Sequence, residues 1–510
     1  MLESRVKRAL DPDNTRPYVV EYRVRRADGS ERWIQSTGRA DFEGEGAARH
    51  AVAFYGTALD ITERKRAEQN TLFLSQLGAR FVTISDPAQA MREASKALGE
   101  YLAASRCYFA EWDGYERVGV SEDWMAEPGL SVSGLHDLKD YGLDPLWDQL
   151  TASSLGIEDM DANPLVGDFL GQYQALGIRG YATVSFKQDE HRLVTLVATS
   201  DGPRKWRQDE LALMENVLAR VWPLLQRMRE DQNTRFLAYL SALVEPLTDA
   251  DDIMRKTDEE VGRHLGGSRC YFFEDAGAES VEVKVEWHLA GMLPLRGKFA
   301  LADFGSEEWW EAARWHRMIV TDMRKERRLN LESYSALGIQ AYAIVPLQRD
   351  GRWVSGLAVT TSHPRYWRES ELTLLESVVA RTWPLIERAR VTTMLRQSAE
   401  RLGLAMDAAN LGDFGWDART DLISLSPRGA EIFGLEPVRR ITRAEMRKLL
   451  GSADADRATA ANAHALATHS DYDIEYLVHR PSGEVRWVAA RGRGIYDELG
   501  RPTGMRGVVQ

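Results

Sequence analysis

Glu21-Tyr22-Arg23-Val24-Arg25-Arg26-Ala27-Asp28-Gly29-Ser30-Glu31-Arg32-Trp33-Ile34 recurs near the other end of the chain as Glu475-Tyr476-Leu477-Val478-His479-Arg480-Pro481-Ser482-Gly483-Glu484-Val485-Arg486-Trp487-Val488. The offset is 475 − 21 = 454, and Gly38-Arg39 and Gly492-Arg493 keep it. Each copy reads as a strand, a tight turn at Asp28-Gly29 or Ser482-Gly483, and a second strand, which is a hairpin signature. A third strand follows over 52–59 and 505–510. Upstream the copies differ. Residues 398–471 carry a helix with Leu402, Ala405, Met406 and Ala409, then short strands around Phe414-Gly415-Trp416 and 422–426. Ser426-Pro427 opens a helix that ends at Phe433-Gly434, and Thr442-Arg443-Ala444-Glu445 is a capping box for another. Only residues 1–17 precede the first hairpin, whereas that copy continues through Asp60-Ile61-Thr62-Glu63-Arg64 into a charged helix that the last copy, ending at Gln510, lacks. Both ends read as cut, as in a fragment of a longer protein or a gene model with misplaced ends.

A second repeat lies between these hairpins. Ser105-Arg106-Cys107-Tyr108-Phe109 returns as Ser268-Arg269-Cys270-Tyr271-Phe272, an offset of 270 − 107 = 163. Phe73-Leu74 and Asp159-Met160 match Phe236-Leu237 and Asp322-Met323 at the same offset. Leu176-Gly177-Ile178 matches Leu337-Gly338-Ile339 at 337 − 176 = 161, and Trp206-Arg207 and 219–224 match Trp367-Arg368 and 380–385 at that offset too. So small a drift over so long a unit means two copies of one domain, not a short-period solenoid.

The bulk properties agree with a multidomain chain. At 510 residues it is too long for one core, and ordinary domain sizes give three or four. Hydrophobic residues at 44% and charged residues at 28% are those of a globular protein. The net charge of −12 argues against general nucleic-acid binding, which rests on basic phosphate contacts. The basic runs at 63–66 and 324–328 are interleaved with acids and read as solvated faces. No apolar stretch is long enough to span a bilayer, and Met1-Leu2-Glu3-Ser4-Arg5 does not open a signal peptide. Two cysteines, Cys107 and Cys270, fit a reducing compartment, and the expected location is the cytoplasm.

Asp28-Gly29-Ser30-x-Arg32-Trp33, followed by Gly56-x-x-x-Asp60-Ile61-Thr62-Glu63-Arg64-Lys65, resembles the C-terminal half of a PAS domain, the PAC motif. In that family the Asp-Ile-Thr end leads into a signalling helix. The C-terminal copy resembles the same family without that end. The inner repeat resembles GAF domains: Ala343-Ile344-Val345-Pro346-Leu347 and Gly356-Leu357-Ala358-Val359 look like their paired central strands, and Ile319-Val320-Thr321-Asp322 like the strand before a variable loop. The first inner copy departs from the pattern at Ser185 and Thr195, so its assignment is carried by the repeat. The resemblances imply an α+β, multidomain fold of antiparallel-sheet PAS and GAF domains joined by helical linkers. The expected limits are a PAC half-domain over 1–62, a signalling helix over 63–72, GAF domains over 73–230 and 231–392, and a PAS domain over 398–510.

Chemistry-bearing motifs are scarce. Cys107 and Cys270 occupy the same place in an apolar strand. They read as buried small hydrophobes sooner than as bilin attachment points, since no Cys-His pair follows. Covalent bilin, flavin and haem are unsupported by motifs, and the ten histidines show no zinc-ligand spacing. Gly44-x-Gly46 lacks the context of a phosphate loop. No catalytic motif is present. Repeat-matched tryptophans (Trp206/Trp367, Trp222/Trp383, Trp33/Trp487) read as packing, while Trp124, Trp147, Trp287, Trp309, Trp310 and Trp315 fall in the divergent middle of the copies, which lines the ligand pocket in the family. Trp124, Trp147, Trp287, Trp309 and Trp310 are the candidate ligand-binding residues, and the divergence implies different ligands or only one binding copy.

The connections read as helices, with apolar residues such as Leu211, Met214, Val217, Leu218 and Val221 at helical spacing. Each contains Trp-Pro-Leu, and the interior prolines Pro223 and Pro384 predict a kink or a restart. Asp60 sits at a strand-to-helix junction, where a carboxylate favours the helix N-terminus. It is the candidate signalling junction with Thr62, Arg32 and Trp33, either as a simple cap or, by the resemblance, paired with Arg32. The whole reads as a sensory input module, homodimeric through its linker helices, binding a small molecule or relaying conformational change. The resemblance implies a histidine kinase core as the missing output; a diguanylate cyclase or other enzyme, and a ligand-free interaction scaffold, are the alternatives.

Overall fold

The Asp28-Gly29 turn folds as a hairpin because Gly29 adopts a φ of 81° and Asp28 accepts the Ser30 amide at 2.9 Å. Helix α1 (Leu2–Ala9) leads into strands β1 (Tyr18–Arg25) and β2 (Glu31–Glu43), and β3 (His50–Asp60) completes an antiparallel sheet of order β1-β2-β3. The computed structural model describes residues 2–14, 16–112, 117–137, 154–164, 166–187, 193–437 and 440–510. The chain divides into two compact units, residues 1–386 and 387–510.

Helices α2 (Thr62–Phe81) and α3 (Pro87–Leu102) follow, the second capped by Asp86, which accepts from the amides of Ala88 and Gln89, with proline at its first turn. The first inner copy then contributes β4 (Arg106–Trp112), β5 (Arg117–Val120), β6 (Trp124–Met125), β7 (Gly134–Asp137), β8 (Ser154–Ile157), helix α4 (Leu170–Ala175), β9 (Gly180–Lys187) and β10 (Leu193–Ser200). Their order is β7-β5-β4-β10-β9-β8, with β6 on β4.

Helix α5 (Gln208–Val244) connects to the second copy, which repeats the plan: α6 (Ala250–His264), β11 (Arg269–Asp275), β12 (Ser280–Val283), β13 (Trp287–His288), β14 (Gly297–Ala300), α7 (Glu307–Trp315), β15 (Met318–Val320), α8 (Leu331–Ala336), β16 (Ala341–Arg349) and β17 (Arg352–Thr361). Its order, β14-β12-β11-β17-β16-β15 with β13 on β11, is that of the first copy. Pro346 stands opposite Gly356 in the central pair. The duplication read from sequence is thus a duplication of topology.

Helix α9 (Glu369–Ala408) leads into the second unit. There β18 (Gly412–Asp417), β19 (Leu422–Leu425), helix α10 (Pro427–Phe433), β20 (Arg440–Thr442), helices α11 (Arg443–Lys448) and α12 (Ser452–Thr468), β21 (Tyr472–His479), β22 (Val485–Tyr496) and β23 (Pro502–Val509) form a sheet of order β20-β19-β18-β23-β22-β21. The Thr442–Glu445 capping box forms, and Gly434 closes α10 with a φ of 71°. Phe433, Ala465, Tyr476, Val488 and Met505 belong to this unit's core. The fold is α+β, with antiparallel sheets and helical connections.

Of the two outcomes expected at the prolines, a restart does not occur. Helices α5 and α9 run through Pro223 and Pro384 without restarting. The lost hydrogen bond is offset by packing, since Val221, Trp222 and Leu225 in one helix and Trp383 and Ile386 in the other are buried. No helix among the described residues is long and apolar enough to cross a membrane.

Candidate functional site

Each inner copy places two chemistries on opposite faces of its central strand. On β4, Cys107 and Phe109 join the core shared with α3 and α5, while Tyr108, Ala110 and Trp112 belong to a second cluster on the other face. That second face encloses a cavity of about 50 Å³ walled by Tyr108, Val118, His136, Tyr173, Tyr181 and Thr195. In the second copy the equivalent face encloses a cavity of about 50 Å³, walled by Tyr271, Val281, Phe299, Tyr334, Tyr342 and Ile344 among others. Three tyrosines recur: Tyr108 and Tyr271 at 271 − 108 = 163, Tyr173 and Tyr334 at 334 − 173 = 161, Tyr181 and Tyr342 at 342 − 181 = 161. The cavities are one site built twice.

Five of these six tyrosines are held neutral by burial. Burial pushes Tyr181 up to about 12 and raises Tyr108, Tyr271, Tyr334 and Tyr342 further above the ordinary phenol value. The walls otherwise differ. The first copy has His136, Thr195 and Trp112, whose Nε1 donates to Thr195 Oγ1 at 3.4 Å. The second has Phe299, Ile344 and Phe304, with ring centroids of Phe304 and Tyr334 5.3 Å apart and those of Tyr334 and Tyr342 5.6 Å apart. One cavity is mixed in polarity and the other aromatic. The second unit holds a separate cavity of about 100 Å³ among Trp416, Phe433, Met446, Asn462, Tyr472 and Tyr476.

The tryptophans read from sequence separate into three groups. Trp310 lines the second cavity and donates its Nε1 to the Leu301 carbonyl at 2.8 Å. Trp309 is buried in the same cluster, and the Arg328 guanidinium lies 4.4 Å from its ring centroid. Trp124 and Trp287 require correction. They are a matched pair at 287 − 124 = 163, opposite Cys107 and Cys270 in β4 and β11. Their rings lie against Gly99 and Gly262 on the helical face, away from the cavities, because only a helix residue without a Cβ admits an indole there. Trp315 is half exposed at the end of α7. Trp147 lies outside the described residues.

The cysteines sit on that helical face too, fully buried, and burial pushes both thiols up. Among the described residues no cluster of three or more His, Cys, Asp or Glu is placed to hold a metal ion.

The strand-to-helix junction brings its four residues together. Asp60 Oδ1 accepts the Thr62 amide at 2.9 Å and the Thr62 hydroxyl, and Thr62 Oγ1 accepts the Trp33 amide at 2.9 Å. Arg32 Nη1 lies 3.7 Å from Asp60 Oδ2. The Thr62 hydroxyl, its amide and Arg32 hold the Asp60 carboxyl below the usual range. Asp60 thus precedes the N-cap residue, Ile61, and holds the first helical amide together with the Arg32 ion pair. Lys65 reaches Glu21 at 2.7 Å and lies 5.7 Å from the Trp33 ring centroid, tying the first turn of α2 back to the hairpin.

A repeated clamp ties each copy's entry helix to its exit helix, and the sequence reading missed it. Asn70 Nδ2 donates to the Asp209 carbonyl at 3.4 Å, and Asn233 Nδ2 to the Ser370 carbonyl at 3.0 Å, the second residue of α5 and α9 respectively. Tyr101 donates to Asn70 Oδ1 at 2.8 Å and stacks on Phe73, while His264 lies 3.4 Å from Asn233 Oδ1 and stacks on Phe236. The signal was available, since Asn70, Phe73 and Tyr101 precede Asn233, Phe236 and His264 by the same 163 residues (233 − 70). The tyrosine trio was legible in the same way.

Comparison with known proteins agrees with this geometry. The family model for the GAF domain matches residues 249–383, and that for the PAS fold matches 422–509. A blue-light-activated histidine kinase of Brucella anthropi is 26% identical over 123 residues, 24% of this chain and 24% of that protein. An uncharacterized protein of Sinorhizobium fredii is 34% identical over 99 residues, 18% of this chain and 12% of that protein. The chain thus spans a quarter or less of the curated relatives it matches. Among solved structures, a sensory box histidine kinase/response regulator from Burkholderia thailandensis is 31% identical, covering 22% of this chain and 82% of that one, with a TM-score of 0.20. With a GAF domain in its second inner copy and a PAS fold at its C-terminal end, the chain is a PAS- and GAF-containing sensory module of signal transduction.

Proposed function

We propose that this chain is the input half of a signalling protein in the cytoplasm, in which small molecules held in the tyrosine-lined cavities bias the connecting helices toward an output domain. The observation that carries this reading is the repeated site: one cavity, built twice around the same three tyrosines, with each copy's entry and exit helices clamped by an equivalent asparagine. A purely structural core gives no reason for the walls to diverge while the tyrosines recur. Trp310 belongs to the binding wall of the second copy, with Trp309 in the buried cluster around it, and Asp60, Thr62, Arg32 and Trp33 act at the entry to α2. The output is a histidine kinase, a reading supported by the kinase that resembles part of the chain. Dimerisation runs through α9, where Val391, Leu395 and Leu402 expose more than half of their surface at spacings of four and seven residues.

Native mass spectrometry of the purified chain tests both parts. The expected result is a dimer carrying a small molecule at substoichiometric or full occupancy. A monomer at high micromolar concentration removes the helical-dimer reading. A dimer with no bound molecule, no visible absorbance band and no stabilisation by any member of a metabolite panel favours a ligand-free scaffold instead.

A further inference from the structure

Two matched loops cover the two cavities. Residues 126–134 in the first copy and 289–297 in the second are exposed along most of their length, and Leu130 and Leu293, at 293 − 130 = 163, are 65% and 68% exposed. One side chain in each loop is buried, Val132 or Leu295, again 163 apart, and it walls the cavity beneath it. A closed cavity of about 50 Å³ takes water and nothing larger than a few atoms. A small molecule therefore enters only if a wall withdraws, and Val132 and Leu295 are the wall residues carried by an exposed segment.

What holds each loop down is charged. At its start a backbone bond pins it, from the Ala126 amide to the Ser105 carbonyl and from the Leu289 amide to the Ser268 carbonyl, both at 2.9 Å. At its end Gly134 and Gly297 take φ of 122° and 128°, a conformation that a residue with a Cβ rarely adopts. Between these points one carboxylate catches the loop. Asp123 accepts the Val132 amide at 3.2 Å and the Ser131 hydroxyl, and it pairs with Arg106. Glu286 accepts the Leu295 amide at 2.5 Å and pairs with Arg269, which donates to the Leu293 carbonyl at 2.5 Å. The two acids and the two arginines are each 163 apart, and none of the four side chains is more than 6% exposed. A buried ion pair holds weakly for its charge, because both ions lose hydration to form it. Release of the loop returns the pair to water, which offsets the packing that Val132 or Leu295 gives up. An apolar staple has no such compensation, so the arrangement suits a loop that opens while its sheet stays folded.

We propose that residues 289–297 are a latched strap that admits ligand to the second cavity, with Leu295 as its plug, the Glu286–Arg269 pair as its latch and Gly297 as its hinge. Residues 126–134 do the same in the first copy, with Val132, Asp123–Arg106 and Gly134 in those roles. This rests on the reading of the cavities as ligand sites and adds how they are reached.

Leu295→Cys in the full chain puts a thiol on the plug, while Cys270, fully buried on the helical face of β11, reports unfolding of the domain. Both thiols are modified with N-ethylmaleimide and followed by peptide mass spectrometry, each rate being divided by that of the same thiol in urea. The introduced thiol is expected to react at least about tenfold faster than Cys270, because the strap opens locally. A Cβ at Gly297 meets nothing, so Gly297→Ala strains only the closed backbone. Added to Leu295→Cys, it should speed the introduced thiol by about tenfold more and leave Cys270 unchanged. Glu286→Gln should act in the same direction, with the Cys270 rate showing whether the domain stays folded. Hydrogen exchange of the unsubstituted chain checks that the smaller plug is not what opens the strap: residues 289–297 should exchange faster than 269–275. Equal rates for the two thiols in both backgrounds mean that the loop opens only with the domain. That overturns the strap and leaves the ligand-site reading, which native mass spectrometry decides, in place. A strap that opens in a chain to which no small molecule is ever found bound sinks the ligand-site reading, and the entry role with it.

Discussion

Arg368, the residue before helix α9 of the second copy, donates to Glu111 on the central strand of the first copy at 3.1 Å. Arg229 of the intervening helix α5 donates to the same carboxylate at 2.8 Å. Desolvation raises the Glu111 carboxyl, and the Arg368 and Arg229 guanidinium groups overcome it, leaving the carboxyl below its usual range. The two copies are thus joined through one buried anion and two cations.

Removing that anion is therefore expected to be costly. Glu111→Gln leaves two guanidinium groups partly buried without their counter-charge, a loss of about 3–5 kcal/mol. The pH dependence follows from the direction of the shift. A carboxyl lowered in the folded state contributes stability above the unfolded value, and that contribution is lost as pH falls through the folded value. Urea unfolding at pH 7 and pH 3 should show the variant weakened at the higher pH and closer to the parent at the lower. Equal destabilisation at both would mean that the charge is not what holds the copies together.

The opposite sign is expected at Asp258 on α6. Its side chain is fully buried, Oδ1 accepts from the Cys270 thiol at 3.8 Å, and Oδ2 has no partner. Burial pushes this carboxyl well above the usual range. A raised carboxyl gives most stability below the unfolded value and loses it as pH rises toward the folded value. The first copy carries Ser95 there (258 − 163). Asp258→Ser should gain about 1–3 kcal/mol at pH 8 and little at pH 4. Melting temperatures at the two values check this, and a variant less stable at pH 8 refutes the account.

Much of this fold was readable because its signals are local. Asp28-Gly29, Ser426-Pro427 and Thr442–Glu445 each fix a turn or a helix start with neighbours a few residues away, and the structure places them as read. The site was less legible. Trp124 and Trp287 stood out as aromatic residues in variable sequence, but which sheet face they occupy depends on a two-residue strand pairing with β4 or β11. Tyr173 and Tyr334 sit on short helices whose distance from Tyr108 and Tyr271 is set by the sheet, so only their recurrence carried a signal. The prolines left a kink and a restart open, and the restart is excluded because the helices continue through them with Trp222 and Trp383 buried beside them.

The notch at Gly262 gives a prediction in which two effects oppose. Glycine inside a helix ordinarily costs about 0.5–1 kcal/mol relative to alanine. Here a Cβ would fall on the Trp287 ring, which is fixed by the pairing of Trp287 with Cys270. Overpacking costs about 1–3 kcal/mol, so Gly262→Ala should be net destabilising. In a Trp287→Leu background the same substitution should become neutral or stabilising. A double-mutant cycle by chemical denaturation measures the reversal, and additivity of the two changes would show that the notch is not a steric one.

The junction at Asp60 separates cap from charge. Asp60→Asn keeps an oxygen able to accept from the Thr62 amide and hydroxyl but removes the charge facing Arg32; Asp60→Ala removes both. Thr62 in turn accepts from the Trp33 amide, so the first turn of α2 and strand β2 share one hydrogen-bonded chain. Hydrogen exchange followed by mass spectrometry over residues 30–70 should show faster exchange for Trp33 and the first turn of α2 in Asp60→Ala. Asp60→Asn should lie close to the parent if the cap dominates. Because Asp60 is exposed, the Arg32 pair is screened and should contribute little, so Arg32→Ala should resemble Asp60→Asn. Exchange in Asp60→Ala indistinguishable from the parent would leave Asp60 without a role in coupling hairpin to helix. Exchange faster in Arg32→Ala than in Asp60→Asn would make the guanidinium, through its other contacts, the element that holds the junction.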